Sequence, residues 1–529
     1  MRIQSYVVPT LLLLVGSADA LAETSKCGQL SDVRLPNTTV TTAESVTGGN
    51  FTPPYGDSLD KLPGFCRVAG VLKPVSDSYI RFEVWLPLAD WNHRYLGVGN
   101  GGFAGSIDYR TLAGDLKRGY ATAATDTGHE GDAEDASWAF HHPEKVADFG
   151  YRALHLTTET AKKLMEVFYG GPAEHSYFDS CSDGGREALM EAQRFPEDFD
   201  GILAGAPANF WTSLLTGGVE VAQELYGNPA AYLSGAKAPA IGAAVLKACD
   251  AQDGVTDGIV SDPERCHFDP DALLCKGAEG RDCLTVPQVA SLKRLYAGSR
   301  DAQGRRLFLG YMPGGENGAQ GWASWILGPA PGLSYGVGYV ENYFRYIVFD
   351  DPTWNILTAN VDAAKRLADQ KTAESLNATN PDLRRFQARG GKLIMYHGWN
   401  DPAISPLYAV SYYKQVGAGM GAQNRESFLR LYMIPGMQHC IGGPGPSYFG
   451  QLGTTTAKGE KHGIYAALEE WVEKGTAPGE IVATKYVDND PSKAAAMTRP
   501  LCAYPQIAKY KGAGDTNDYR NFTCEVPKE

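Results

Sequence analysis

The chain has 529 residues, 43% of them hydrophobic and 21% charged, with a formal net charge of -13. That length exceeds one ordinary core and provides for about two to four domain-sized units, and the residue balance is that of a globular protein. The acidic excess would repel a phosphate backbone and no Lys/Arg-rich run offers a local exception, so nucleic acid is excluded as a partner class.

The first residues read MRIQSYVVPTLLLLVGSADALAETS. Arg2 supplies a positive start, Val7 to Val15 an apolar stretch, and Ala20-Leu21-Ala22 a small-x-small cleavage site. The apolar stretch falls short of the roughly 20 residues a bilayer span needs. Residues 1–22 are therefore expected to be a signal peptide, and the mature chain secreted or periplasmic without a membrane partner. Ten cysteines suit an oxidising compartment. Zinc sites favour closely spaced Cys pairs, which are missing here, so the even number points to disulfides. Neighbours along the chain suggest Cys27–Cys66, Cys249–Cys266, Cys275–Cys283 and Cys502–Cys524, leaving Cys181 for Cys440. Sequence alone does not prove the pairing.

Residues 80–90 and 94–98 carry aromatic and β-branched runs that predict strands, the second leading into the turn Gly99-Asn100-Gly101-Gly102. Another short strand is expected over 119–125 and a long helix over 144–169. HSYFDSCSDGGREALMEAQRFP then reads as strand, tight turn and helix. GILAGAP at 201–207, KLIMYHG at 392–398 and FLRLYM at 428–433 are continuous apolar runs of the kind buried in parallel sheets. Alternating buried strands and helices predict an α/β sheet. From 209 to 380 the rhythm fails: Gly, Pro, Trp and Tyr abound, with four cysteines. The chain thus divides into a first core part (23–208), an inserted lid domain (209–380) and a second core part (381–529).

Ser182 stands on the tight turn after the YF strand, in Ser180-Cys181-Ser182-Asp183-Gly184-Gly185. A nucleophilic serine needs its hydroxyl raised on such a turn, with small neighbours to permit the backbone. Ser180 replaces the first glycine of the usual G-x-S-x-G. Attack also needs a histidine to take the proton and an acid to orient it. Asp401, in Gly398-Trp399-Asn400-Asp401-Pro402, and His439, in Gly436-Met437-Gln438-His439-Cys440, both follow strands. They complete the chain order Ser, Asp, His of an α/β-hydrolase core. His397 is the nearest competitor for the base. Each residue alone is an ordinary turn residue; order and placement together carry the reading. Cys181 and Cys440 abut the proposed nucleophile and base, and a bond between them would tie the two loops. Backbone N–H groups of Asp183 and Gly102 are expected to form the oxyanion hole.

The loop Cys249–Ile259 sets carboxylates at 250, 253 and 257 on glycine bends. Hard oxygen donors so spaced suit Ca²⁺, with the side chains of Asp250, Asp253 and Asp257 and the carbonyls of Val255 and Ile259 as ligands. It is not an EF-hand, and its place in the insert predicts a structural ion. No organic cofactor is implied.

CSDGGRE, QRFPEDFDGILAGAPA, CDAQDGVTDGIV, HGWNDPAISP, PGMQHCIGGPG and RPLCAYPQIAKYKGAGD together resemble the tannase/feruloyl esterase family of exported α/β hydrolases, over nearly the whole mature chain. The bacterial hydrolase of mono(2-hydroxyethyl) terephthalate is similar along its length too. The resemblance implies a disulfide beside the triad, a calcium ion in the lid and cleavage of esters of aromatic acids such as ferulate or gallate. Partners would be small aromatic esters, free or attached to plant cell-wall polysaccharide or tannin. Two alternatives stand beside it: a terephthalate-type monoester hydrolase, for which Arg345 is the candidate carboxylate ligand, and a non-catalytic calcium-dependent binding protein on a hydrolase scaffold. Trp322, Trp325, Tyr335, Tyr339, Tyr343 and Phe344 are candidates for a wall stacking on a phenolic ring.

Overall fold

The computed structural model describes residues 26–527 apart from 302, 303, 319, 458, 460 and 461. The expected signal peptide lies outside the described residues. Nine strands build one sheet: β1 (Thr38–Val46), β2 (Phe65–Leu72), β3 (Ile80–Pro87), β4 (Arg94–Val98), β5 (Ala121–Thr125), β6 (His175–Cys181), β7 (Gly201–Gly205), β8 (Lys392–Gly398) and β9 (Leu429–Ile434). Their order is β1-β2-β3-β5-β4-β6-β7-β8-β9. The pairs from β1 to β5 are antiparallel; those from β5 to β9 are parallel.

The parallel strands alternate between two buried faces, which is why they read as continuous apolar runs. Phe178, Ile202, Met395 and Leu431 face one core, with helices α2 (Ala153–Tyr169), α3 (Asp183–Arg194) and α5 (Leu407–Met420) against them, α4 being the first helix of the insert (Trp211–Tyr226). Tyr177, Leu203, Ile394 and Tyr432 face the other, covered by α6 (Ile464–Lys474); α1 (Tyr109–Lys117) lies over the sheet nearer its antiparallel edge. Small residues in β7 leave room for large neighbours: a Cβ on Gly205 would lie 2.2 Å from the Tyr396 ring.

Strand β4 pairs with β5 on one side and β6 on the other. The chain therefore leaves β4 and β6 in opposite directions, and such a switch opens a crevice at the carboxyl ends of the strands. The Gly99–Gly102 turn and the Ser182 turn flank it.

Among the described residues no strand of this sheet occurs between Gly205 and Lys392. That stretch is helical, with one short ribbon pairing Ser299–Arg300 and Arg306–Phe308. Part of it shares a core with the loops after β4 and β5: Trp211, Val340, Tyr343 and Ala364 pack with Phe103, Trp138 and Phe149. A second cluster, with Ile241, Leu292 and Trp322, is internal to the insert.

The antiparallel strands β1 and β2, and two hairpins near the C-terminus (Ile481–Tyr486 with Ala495–Leu501; Ile507–Tyr510 with Phe522–Glu525), are additional to the elements read from sequence. The ten cysteines form Cys27–Cys66, Cys181–Cys440, Cys249–Cys266, Cys275–Cys283 and Cys502–Cys524. Among the described residues no helix is long and apolar enough to cross a membrane.

Candidate active site

Ser182 sits between β6 and α3 with φ 69° and ψ -121°, a backbone region costly for any residue with a side chain. The packing enforces that turn. The Ser182 N–H donates to Gly205 O at 3.0 Å and Gly184 N–H to Asn100 O at 2.8 Å. A Cβ at 184 would collide with Ser180, and one at 185 would come within 2.1 Å of Gly205 O. The two glycines after Asp183 thus let α3 start hard against β7 and the β4 turn.

The Ser182 hydroxyl donates to His439 Nε2 at 2.9 Å, and His439 Nδ1 donates to Asp401 Oδ2 at 2.8 Å. His397 makes no hydrogen bond to Ser182 among the described residues. It is fully buried behind the acid, its Nε2–H shared between Asp401 Oδ2 and Ile404 O, both at 3.1 Å. Since a carbonyl can only accept, Nε2 must carry the proton. Asp401 Oδ1 takes the N–H groups of Ala403 and Ile404 at 2.8 and 3.0 Å. Burial works against the Asp401 charge, but His439 and His397 more than offset it and hold the carboxyl well below its usual range. It is therefore an anion at neutral pH, suited to orient and stabilise an imidazolium.

The Cys181–Cys440 bond joins the residue before Ser182 to the residue after His439, with Cα atoms 6.0 Å apart. Gly102 and Asp183 lie on the wall of the same cavity as Ser182. Among the described residues no hydrogen bond occupies either backbone N–H, as an oxyanion donor requires. The Gly102 turn is tightly held: Phe103 N–H donates to Ala133 O at 2.7 Å, and His129 Nε2 to Phe103 O at 2.7 Å.

Sequence reasoning missed the carboxyl beneath that turn. Glu187, on α3 and 2% exposed, accepts the Asn100 N–H at 2.8 Å. Burial, with Asp183 adding to it, pushes its carboxyl up to about 8. Arg186, buried with Asp183 in a 2.6 Å ion pair, also donates to Gly150 O and Phe149 O. The i, i+3 and i, i+4 spacing of Asp183, Arg186 and Glu187 on a helix was the available signal.

The cavity beside Ser182 measures about 790 Å³. Trp211, Leu215, Phe308, Tyr311, Trp325, Ile326, Val337, Tyr339 and Val340 from the insert form its apolar wall, while Tyr55, Asp57, Asp108 and Arg110 line another part. Of the six aromatic candidates, only Trp325 and Tyr339 are on the wall. Their rings stack 6.0 Å apart, and Trp325 also meets the His439 ring edge-on at 5.4 Å. Trp322, Tyr343 and Phe344 are core instead, and Tyr335 is half exposed against Trp325. Arg345 is absent from the wall: its guanidinium donates to Trp354 O and Glu341.

The model for tannase and feruloyl esterase matches residues 66–525. The chain belongs to the tannase and feruloyl esterase family. It is 44% identical to an uncharacterised esterase of Xanthomonas campestris pv. campestris, over 97% of this chain and 92% of that one. It is 34% identical to the mono(2-hydroxyethyl) terephthalate hydrolase of Piscinibacter sakaiensis, over 96% and 92% of the two chains. The crystal structure of feruloyl esterase B from Aspergillus oryzae superposes with a TM-score of 0.88 at 30% identity, covering 95% of this chain and 100% of that one. As a member of this family the chain is a carboxylic ester hydrolase with an α/β-hydrolase core.

The acidic loop fits a hard cation in its donor chemistry. Asp250 and Asp253 are buried and Asp257 nearly so, and Arg499 pairs with Asp257 at 2.5 Å. Asp257 Oδ1 is buried without a hydrogen-bond partner among the described residues, and no described backbone hydrogen bond reaches the carbonyls of Val255 or Ile259. The three carboxylates do not converge on a point, because Asp250 accepts the N–H groups of Asp257 and Gly258, and Asp253 those of Val255 and the Ser261 hydroxyl. Convergence within 4.8 Å occurs, among the described residues, only at His155, Glu191 and Asp198. There burial and Asp198 push the Glu191 carboxyl far up, against the charged form that a metal ligand needs.

Opening the Cys181–Cys440 bond by Cys181→Ser should lower kcat at least tenfold, whereas Cys275→Ser should leave it within about twofold; matched losses in folded variants would contradict the tether. Glu187 makes a pH prediction. Its carboxyl is raised from 4.5 to about 8, so the folded state holds a proton that the unfolded chain releases. That contribution is complete below 4.5 and lost as pH rises through 8. Thermal melts should show stability falling with pH across this window, less steeply in Glu187→Gln; identical slopes would contradict the assignment.

Proposed function

We propose that the chain is a secreted serine esterase that cleaves esters of aromatic, phenolic acids such as ferulate or gallate through an acyl-enzyme on Ser182. The observation that carries this reading is the unbroken chain of short contacts from Ser182 Oγ through His439 to Asp401, facing an apolar cavity walled by Trp325 and Tyr339. His439 removes the Ser182 proton as the oxygen attacks the ester carbonyl, then returns it to the departing alcohol. The N–H groups of Asp183 and Gly102 receive the developing oxyanion, and α3 adds its N-terminal dipole. A water activated by His439 then releases the acid.

The insert 209–380 acts as the lid and supplies the ring-binding wall, the core being residues 23–208 and 381–529. The terephthalate reading asks for a cation against a free carboxylate. Arg110 is the one Lys or Arg on the described wall, and it is already paired with Asp57, which favours uncharged phenolic rings. The binding-protein reading is disfavoured by the complete triad. A Ca²⁺ held by Asp250, Asp253 and Asp257 with the carbonyls of Val255 and Ile259 would neutralise buried carboxylate charge and stiffen the insert. Residues 1–22 as a signal peptide, with five disulfides, support export.

Ser182→Ala should abolish hydrolysis of a chromogenic acetate ester, with about a 10⁶-fold loss in kcat. In a rate panel, methyl ferulate or methyl gallate should exceed mono(2-hydroxyethyl) terephthalate in kcat/KM; the reverse order would install the terephthalate reading. Chelator should lower the melting temperature, with recovery on adding Ca²⁺, and leave turnover at low temperature intact. Immediate loss of turnover in folded protein would instead give the ion a direct role.

A further inference from the structure

The insert segment Gly314-Gly315-Glu316-Asn317-Gly318 runs between the loops that carry Asp401 and His439. On one side the side-chain amide of Asn400 donates to Gly314 O. On the other, Gln438 Nε2 donates to Asn317 O at 2.8 Å. Asn400 and Gln438 are both 2% exposed, and each directly precedes one of the two residues, Asp401 and His439, in the quoted motifs. Nearby, the Ser405 hydroxyl donates to Gly310 O.

The segment is also shaped from within. Glu316 is fully buried, and its carboxyl accepts the Gly314 N–H at 2.9 Å and the Tyr296 hydroxyl at 2.5 Å. The strap lies close against both loops, at Gly315 against backbone and at Gly318 against the Gln438 amide. A Cβ on Gly315 would lie 2.9 Å from Asn400 O, and one on Gly318 2.7 Å from Gln438 Nε2. Gly314 and Gly318 moreover have φ of 107° and 105°, where side chains are strained.

From these contacts we propose that Asn400 and Gln438 are positioning residues that fasten the 314–318 strap of the insert to the acid and base loops, so that the cavity wall and the Asp401–His439 pair are held as one unit. The proposal rests on the triad reading. Each amide is itself buried while the carbonyl it holds lies toward the surface, so removing the donor hands that carbonyl to water and frees the strap from the loop. A displacement of about 1 Å between reacting groups costs on the order of 100-fold in rate. Neither side chain lines the cavity, so the loss belongs in kcat and not in KM.

The test is steady-state kinetics with melting curves on the full chain for Gln438→Met, Gln438→Glu, Asn400→Leu and the double variant Asn400→Leu/Gln438→Met. Methionine keeps the length and removes the donor; glutamate keeps the shape and turns a lone pair on the Asn317 carbonyl. The expected result is kcat down at least tenfold in each single variant, lowest for Gln438→Glu, with KM within twofold. The double variant should lose less than the product of the single losses, because both release the same strap. Unchanged kcat in folded variants overturns the proposal, as does a rise in KM alone or a kcat loss that merely follows the folded fraction. If one variant fails to fold, the other end of the strap decides; failure at both ends also overturns it, the tether then being structural only. Ser182→Ala runs alongside: activity there would sink the triad reading itself, whereas inactivity with unaffected strap variants sinks this proposal alone.

Discussion

A hydroxyl and an imidazole 257 residues apart meet at 2.9 Å, and the geometry of the cavity is arranged around holding them there. Hydrogen bonding alone would keep such groups together weakly, since a neutral pair contributes about 1 kcal/mol net. The Cys181–Cys440 bond removes most of the freedom at issue. Closing so long a loop stabilises by about 5 kcal/mol in the chain-entropy model, and it acts on the residues adjoining the pair. The strained turn at Ser182 can persist only because Gly205 O, Asn100 O and the start of α3 fix it from three sides.

Behind the pair, order is carried by buried polar groups. Asp401 has four donors, two imidazoles and two backbone N–H groups, so its position and charge are over-determined. The Gly99–Gly102 turn is held through Asn100 by Glu187 and through Phe103 by His129. Such groups sit where water is scarce, and that is where prearranged donors count most against a developing oxyanion. The insert supplies the apolar side of the cavity beside Ser182, and Trp325 rests against the His439 ring.

Much of this was legible in the sequence. The parallel strands are continuous apolar runs because both faces are buried, and the strand-turn-helix setting of Ser182 marks the tight turn of a candidate nucleophile. Residues beside Cys181 and Cys440 could be paired by position. The edge strand β1 was hidden, because its residues are half-buried or exposed and no apolar run announces it; in β2 the apolar residues are largely buried but interrupted by Arg67 and Gly70. His397 looked like a competing base, since sequence cannot show on which side of Asp401 a ring lies. Glu187 stood out only by its spacing from Asp183; the register of α3 against the β4 turn is what reveals it as buried. Four of the six aromatic candidates fell away from the cavity wall for the same reason: aromatic residues serve core and wall alike until the helix faces are known. Arg345 was likewise settled by direction, not identity.

The central claim is that ester carbon becomes bonded to Ser182 during turnover. Rapid quenching of the enzyme with an activated aryl ester, followed by proteolysis and mass spectrometry, tests it most directly. The account predicts an acyl mass on the peptide spanning Ser182, formed in a burst and lost at the rate of turnover. An acyl group carried on another side chain, with the Ser182 peptide unmodified while product accumulates, would contradict it.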